Sequence, residues 1–201
     1  GDVDDRPDIA HASHRTERID HRATDGIDNL FSVTGVKYTV ARYVAETTVT
    51  AIRKRLGRGS PPGIGREREL TGGHIRDGSA FLSEVVRTSG FPEPVARHLA
   101  FQYGTRWTQI QALAHAHPEW NRCVAGSREV LLSEIAFAVR EEMALHLSDV
   151  VLRRTDLGSL GDPGEEALRD CAAVMEKELG WTPEQARKEI EDTRKLFQLP
   201  D

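Results

Sequence analysis

"SREVLLSEIAFAVREEMALHLSDVVLRRT", residues 127–155, decides the fold class. Leu132, Ile135, Ala136, Val139, Met143, Leu147, Val150 and Val151 recur at helical steps and make one apolar stripe between charged residues. A stripe of that length needs a second apolar face to cover it, so the segment predicts helices packed on helices. Ser148-Asp149 can cap a second helix, which predicts a break near residue 147.

The segments on either side read the same way. Downstream, "GDPGEEALRDCAAVMEKELG" (161–180) offers Asp162 as N-cap, Pro163 in the first turn, Glu165 three residues after the cap, and Gly180 as the stop. "WTPEQARKEIEDTRKLF" (181–197) repeats the device with Thr182, Pro183 and Gln185. Upstream, "FLSEVVRTSG" (81–90) and "FPEPVARHLAFQYG" (91–104) each end on glycine, and "TRWTQIQALAHAH" (105–117) stops before Pro118. Residues 74–201 are therefore expected to form an all-α domain of five to seven helices.

The Gly/Pro-rich stretch "GRGSPPGIGRERELTGG" (57–73) marks a boundary, with residues 58–73 as linker. Residues 1–57 read differently. "SHRTERIDH" (13–21) alternates weakly, "NLFSVT" (29–34) is a short apolar run, and Asp25-Gly26 between them is a hairpin signal. From Lys37 onward Val40, Tyr43, Val44, Thr47, Thr48 and Ala51 fall near helical spacing, predicting a helix to about Leu56. The expected fold class is mainly α, a C-terminal helical bundle preceded by a short strand–strand–helix piece of an α/β domain.

The net charge of −5 gives no support for nucleic-acid binding, which needs a basic face. The two cysteines, Cys123 and Cys171, stand in no metal-ligand spacing and read as reduced thiols of a cytoplasmic protein. No metal site is expected. No apolar run approaches the ~20 residues that cross a bilayer, which leaves peripheral attachment at the inner face of the cell membrane open. The polar opening, "GDVDDRPDIAHASHRTERIDHR" (1–22), leads straight into a strand and reads as the middle of a longer protein.

The seam between the second strand and the following helix, "GVKYTVARYVAE" (35–46), poses the functional question. A helix beginning there leaves first-turn amides unpaired and a partial positive charge. Gly35 permits close approach, Lys37 adds a movable cation and Thr39 a hydroxyl, a combination that suits a phosphate, a carboxylate or the electron-rich edge of a cofactor ring. By itself the pattern is equally that of a plain turn.

The run "NLFSVTGVKYTVARYVAE" (29–46) resembles the closing strand–glycine–helix of the FAD-binding domain in FAD-dependent glycerol-3-phosphate dehydrogenases. That family has Gly-(Gly/Val)-Lys-x-Thr-x-x-Arg there, matched by Gly35, Val36, Lys37, Thr39 and Arg42. "LTGGHI" (70–75), "QYGTRW" (102–107) and "SEIAFAVREEMALHLSDVVLRRTDLG" (133–158) resemble its C-terminal segments in the same order. Val36 stands where many members carry a second glycine, and Val40-Ala41 replace Thr-Tyr.

The resemblance implies roles residue by residue. Arg15 falls where the family binds the substrate phosphate, a task for which a guanidinium fork is suited. Gly35, Lys37 and Thr39 fall where its helix N-terminus faces the flavin. The implied partners are glycerol 3-phosphate, FAD and a quinone or other electron acceptor, with a homodimer left open; no catalytic residue is assigned. No Gly-x-Gly-x-x-Gly follows a strand in this sequence, so these residues are expected to be a C-terminal portion that binds no FAD and turns over nothing alone. A related oxidase that passes electrons to oxygen, and a stand-alone helical interaction module, are the competing readings.

Other residues carry blander readings. His11, His14 and His21 are expected to be solvated, and His115 and His117 to be structural at a helix end. Trp107, Trp120 and Trp181 are expected to anchor a core or an interface. At most one of Arg153 and Arg154 can face inward. A Ser/His/Asp triad finds no nucleophile-elbow motif to support it.

Overall fold

The computed structural model describes residues 16–35, 37–59 and 68–198. It divides into two compact units, one reaching Glu69 and the other starting at Leu70. In the first, β1 (Glu17–Asp20) and β2 (Phe31–Thr34) pair antiparallel, with Glu17 opposite Thr34 and Asp20 opposite Phe31. The expected hairpin turn is longer than a tight one. A single helical turn, α1 (His21–Thr24), is capped by the Asp20 side chain on the Arg22 amide, and Gly26 beyond it takes φ +71°.

After β2 the chain makes a 3₁₀ turn, Tyr38–Val40, and then α2 (Ala41–Arg55). The helix ends where the sequence predicts, but its α-helical part starts four residues later than Lys37. Val40 and Lys37 supply no capping side chain, so the tighter turn satisfies the first carbonyl instead, with the Val40 amide on the Lys37 carbonyl at 3.0 Å. Arg55 at the end of α2 reaches Asp20 at 3.2 Å and Asp28 at 3.1 Å, tying helix to hairpin.

The second unit is helical: α3 (Gly78–Thr88), α4 (Glu93–Tyr103), α5 (Trp107–Ala116), α6 (Leu132–Glu142), α7 (Leu147–Asp149), α8 (Glu165–Leu179) and α9 (Pro183–Lys195). Two apolar clusters fill it. One gathers Val85, Leu99, Ile110 and Phe137 from α3 to α6, and the other gathers Ile135, Leu147, Leu168 and Met175 from α6 to α8. Helix α6 contributes to both because its 132–138 stretch is buried on every side, Glu134 included. Trp107 and Trp120 are buried and Trp181 packs at the edge, so all three tryptophans are anchors.

Boundaries differ from expectation where side chains outside the helix intervene. The 127–131 run does not join α6, because the Val124 amide bonds to the Val130 carbonyl and Cys123 bridges Leu131, closing a loop whose turn is held by the Ser127 hydroxyl. The break after α6 comes earlier than residue 147: Met143 adopts φ +56°, and Asp149 reaches back to accept from the amides of Leu145 and His146. Asp149 thus sits inside the short helix that it caps. A π turn, Val150–Arg154, follows. Asp162 does not cap α8; it accepts from the Gly164 amide, and the helix starts at Glu165. Thr182 and Gln185 do form the expected reciprocal box, at 3.2 and 2.7 Å.

Two glycines show why that residue type is required. Gly72 and Gly104 meet backbone to backbone, with the Thr105 amide on the Gly72 carbonyl at 2.9 Å. A Cβ on Gly104 would lie 2.0 Å from that carbonyl oxygen, and one on Gly72 would lie 2.6 Å from the Tyr103 carbonyl oxygen. Both have positive φ as well.

Candidate functional site

Of the four residues singled out, Arg15 lies outside the described residues, as do His11, His14 and Val36. The other three occupy one short exposed stretch after β2. Gly35 takes φ +68°, in the left-handed region that an L side chain rarely adopts, and its carbonyl accepts from the Thr16 hydroxyl at 3.3 Å. Lys37 is extended at φ −84°, ψ 139°, and Thr39 sits within the 3₁₀ turn. Both are exposed, and neither side chain pairs with another described residue. Tyr38 between them is fully exposed.

This geometry offers donors without internal acceptors. The amides opening a helical turn have no intrahelical partner, and here the extended Lys37 backbone leads directly into them. Arg42, the last residue of the motif, donates to the Arg68 carbonyl. An electron-rich ring edge or an anion fits that donor set: a cation, a hydroxyl, turn amides, and a glycine with no Cβ of its own to obstruct an approach. Beside the seam, Arg18, Tyr43, Glu46, Thr47 and Lys54 line a groove of about 390 Å³ in the same unit, and Arg18 donates to the Thr47 carbonyl at 3.1 Å.

His21 is not simply solvated. Its Nδ1 lies 2.6 Å from Asp25 and its Nε2 2.8 Å from the Ser32 hydroxyl, a Ser–His–Asp chain that the sequence reading set aside. Ser32 lies within the β ladder opposite Ile19, not on a strand-to-helix turn that would free amides for an oxyanion. The chain is best understood as the lock of the hairpin. Hydrogen bonds from Thr24 and His21 hold the Asp25 carboxyl below its ordinary range.

A second cluster, in the helical unit, joins residues whose long-range pairing had no local sequence signal. Glu134 is fully buried; its Oε1 accepts from the Leu131 amide at 2.7 Å and its Oε2 from His98 Nε2 and the Tyr103 hydroxyl, both at 2.8 Å. Burial first, then the Glu134 charge, pushes the Tyr103 phenol far up, so it remains a donor. His98 also lines an open groove of about 520 Å³ with Arg97, Phe101 and Glu129. Arg153 bonds to Asp149 on its own turn, and Arg154 is half-buried with its Nε shielded and without a partner among the described residues. Cys123 and Cys171 are free thiols, and among the described residues no His, Cys, Asp and Glu gather in a group that could hold a metal ion. No helix among the described residues is long and apolar enough to cross a membrane.

The chain is similar to several known proteins. A glycerol-3-phosphate dehydrogenase from Synechocystis is 32% identical over 186 residues, covering 90% of this chain and 34% of that protein. A probable mitochondrial glycerol-3-phosphate dehydrogenase from Dictyostelium discoideum is 28% identical, over 82% of this chain and 26% of its own length. The crystal structure of the glycerol-3-phosphate dehydrogenase from Bacillus halodurans complexed with FAD superposes with a TM-score of 0.66 at 28% identity, over 85% of this chain and 37% of that one. The chain thus spans about a third of the length of the relatives it matches. Residues 64–186 match the sequence profile described as the C-terminal domain of alpha-glycerophosphate oxidase, and with more than half of its length inside that profile the chain belongs to the FAD-dependent glycerol-3-phosphate dehydrogenase and oxidase family, whose C-terminal domain it carries.

Proposed function

We propose that the chain serves as the C-terminal portion of an FAD-dependent sn-glycerol-3-phosphate dehydrogenase, which oxidises glycerol 3-phosphate to dihydroxyacetone phosphate and passes electrons to quinone. The observation that carries this reading is the 32% identity over 186 residues to a dehydrogenase from Synechocystis. The exposed donor set at the seam supports it. FAD, when bound, supplies the acceptor for the hydride from C2 of the substrate.

The chain's own residues then have separable tasks. Arg15 grips the substrate phosphate through charge-assisted bonds. Gly35 leaves the approach to the helix start unobstructed. Lys37, Thr39 and the first-turn amides present positive charge and donors to the electron-rich edge of the ring, stabilising negative charge that develops there. The helical unit acts as cap and partner surface. Alone, these 201 residues bind no FAD and turn over nothing.

The test uses the longer enzyme that this reading implies, reconstituted with FAD. Arg15→Ala raises the KM for glycerol 3-phosphate at least ~10-fold, the loss of charge-assisted bonds of roughly 1.5–3 kcal/mol. An unchanged KM removes Arg15 from the site. Yellow flavin copurifying one-to-one with the 201-residue chain would overturn the statement that it binds none. The profile's description, an oxidase domain, favours a second reading in which electrons pass to oxygen. Peroxide release compared with quinone reduction in the same preparation separates the two.

A further inference from the structure

The buried carboxylate of Glu134 gathers three donors from two separate parts of the helical unit. The Leu131 amide belongs to the start of α6, while His98 and Tyr103 come from α4, 36 and 31 residues away. The Leu131 amide, the Tyr103 hydroxyl and the His98 imidazole all meet its two oxygens, and a fully buried carboxylate calls for a compensating positive charge. Neither Arg nor Lys bonds to it among the described residues. Of its three partners only His98 can carry a positive charge, and the His98 side chain is itself 8% exposed.

The charges around His98 nearly all favour a proton. Glu134 faces it from α6, Glu129 from the loop before α6, and Asp156 from the segment after the π turn. On α4 itself Arg97 is adjacent but pairs with Glu93 at 3.8 Å, and Tyr103 is a neutral donor, its ring edge-on to the imidazole. Glu142 adds negative charge near Tyr103. Cys123, close to Glu134 and Glu129, stays a thiol because burial and those charges raise its pKa. Arg106 is occupied on the Phe137 ring and with Glu141 and Glu142. Burial pulls the His98 pKa down, but the hydrogen bond and charge of Glu134 outweigh it and the net shift is upward from 6.5.

We propose that protonated His98 is a clasp fastening α4 to the start of α6, and that deprotonation as pH rises opens it. The face of α4 that the clasp holds carries Arg97, Phe101 and Gln102 along the 520 Å³ groove, so opening alters the geometry of that groove. The sign follows from linkage. A folded-state pKa above the unfolded one gives stability that is complete below pH 6.5 and is lost as pH rises through the folded value. Neutral His98 still donates one hydrogen bond, but leaves Glu134 a buried, uncompensated charge.

The test needs neither FAD nor substrate, so it stands or falls apart from the proposed function. In the 201-residue chain, the His98 imidazole is titrated by NMR, and amide exchange across α4, corrected for intrinsic rate, is followed from pH 6 to 9. Wild type titrates above 6.5, and protection of α4 falls at least about threefold more than in His98→Gln, which keeps the donor and discards the charge. Glu134→Gln brings the His98 midpoint to or below 6.5. A wild-type midpoint at or below 6.5, or the same pH profile in wild type and His98→Gln, overturns the clasp. Should Glu134→Gln not fold, those two measurements still decide it.

Discussion

The two units are held together by different physics. Among the described residues before Leu70, Val44 is the single buried apolar side chain, whereas every other one lies at Val85 or beyond. The first unit relies on four-residue strands, the His21 lock and the Arg55 pairs with Asp20 and Asp28. Two-stranded hairpins are marginal in water, and surface ion pairs add little. It also exposes Ile27, Leu30, Tyr38, Tyr43 and Val49. The helical unit has two buried apolar clusters. The contrast predicts that this domain boundary separates a fold that stands alone from one that needs covering. Under the proposed function, the rest of the longer enzyme provides that cover.

The strongest challenge to this contrast is to produce the units apart. Residues 70–201 are expected to melt in one cooperative transition by circular dichroism, and residues 1–69 to show none; a sharp melt of the shorter piece breaks the comparison. Core truncation sharpens it. Phe137→Ala, at a fully buried ring that touches Tyr103 and Arg106, should cost about 3–5 kcal/mol in urea unfolding. Val44→Ala should cost about 1 kcal/mol or less in the same chain, since Val44 belongs to neither apolar cluster.

Smaller effects probe the surface of the helical unit. Asp170 accepts two bonds from Arg122, at 2.6 and 2.8 Å, and one from the Ala125 amide at 2.9 Å. The Arg122 bond leads in holding its carboxyl below the ordinary 3.8. Its contribution is therefore present above pH 3.8 and lost as pH falls through the lower folded value. Asp170→Asn should cost about 1–2 kcal/mol at pH 7, discounted because Arg122 is half exposed, and the difference should shrink as the pH of the melt is taken progressively below 3.8. Thr182→Ala, which removes one side of the box starting α9, should cost about 1 kcal/mol.

What could be read from the residues follows the range of the interaction responsible. Helix ends set by neighbours in sequence were legible: Gly104 and Gly180 stop α4 and α8, and Thr182 with Gln185 starts α9. The seam's composition was legible too, though its helix begins later because no side chain caps it. The 123–131 loop was not, since Cys123 bridging Leu131 hides inside an apolar run that looks helical. Nor were the partners of Glu134. A glutamate three residues into a helix announces a bond to the preceding amide, but nothing local points to His98 or Tyr103. The chain Asp25–His21–Ser32 likewise depends on strand register, which a weakly alternating sequence leaves open.

The placement of the tryptophans has a practical consequence. Trp107 sits in the apolar cluster built from α3 to α6, and Trp120 in the one built from α6 to α8, stacked at 4.0 Å on His117. Trp107 therefore reports on one half of the interior, and Trp120, with Trp181 packed at its edge, on the other. Replacing one indole at a time by phenylalanine would let stopped-flow fluorescence ask whether the halves assemble together or in sequence, with the doubly shared helix α6 as the natural place for them to meet.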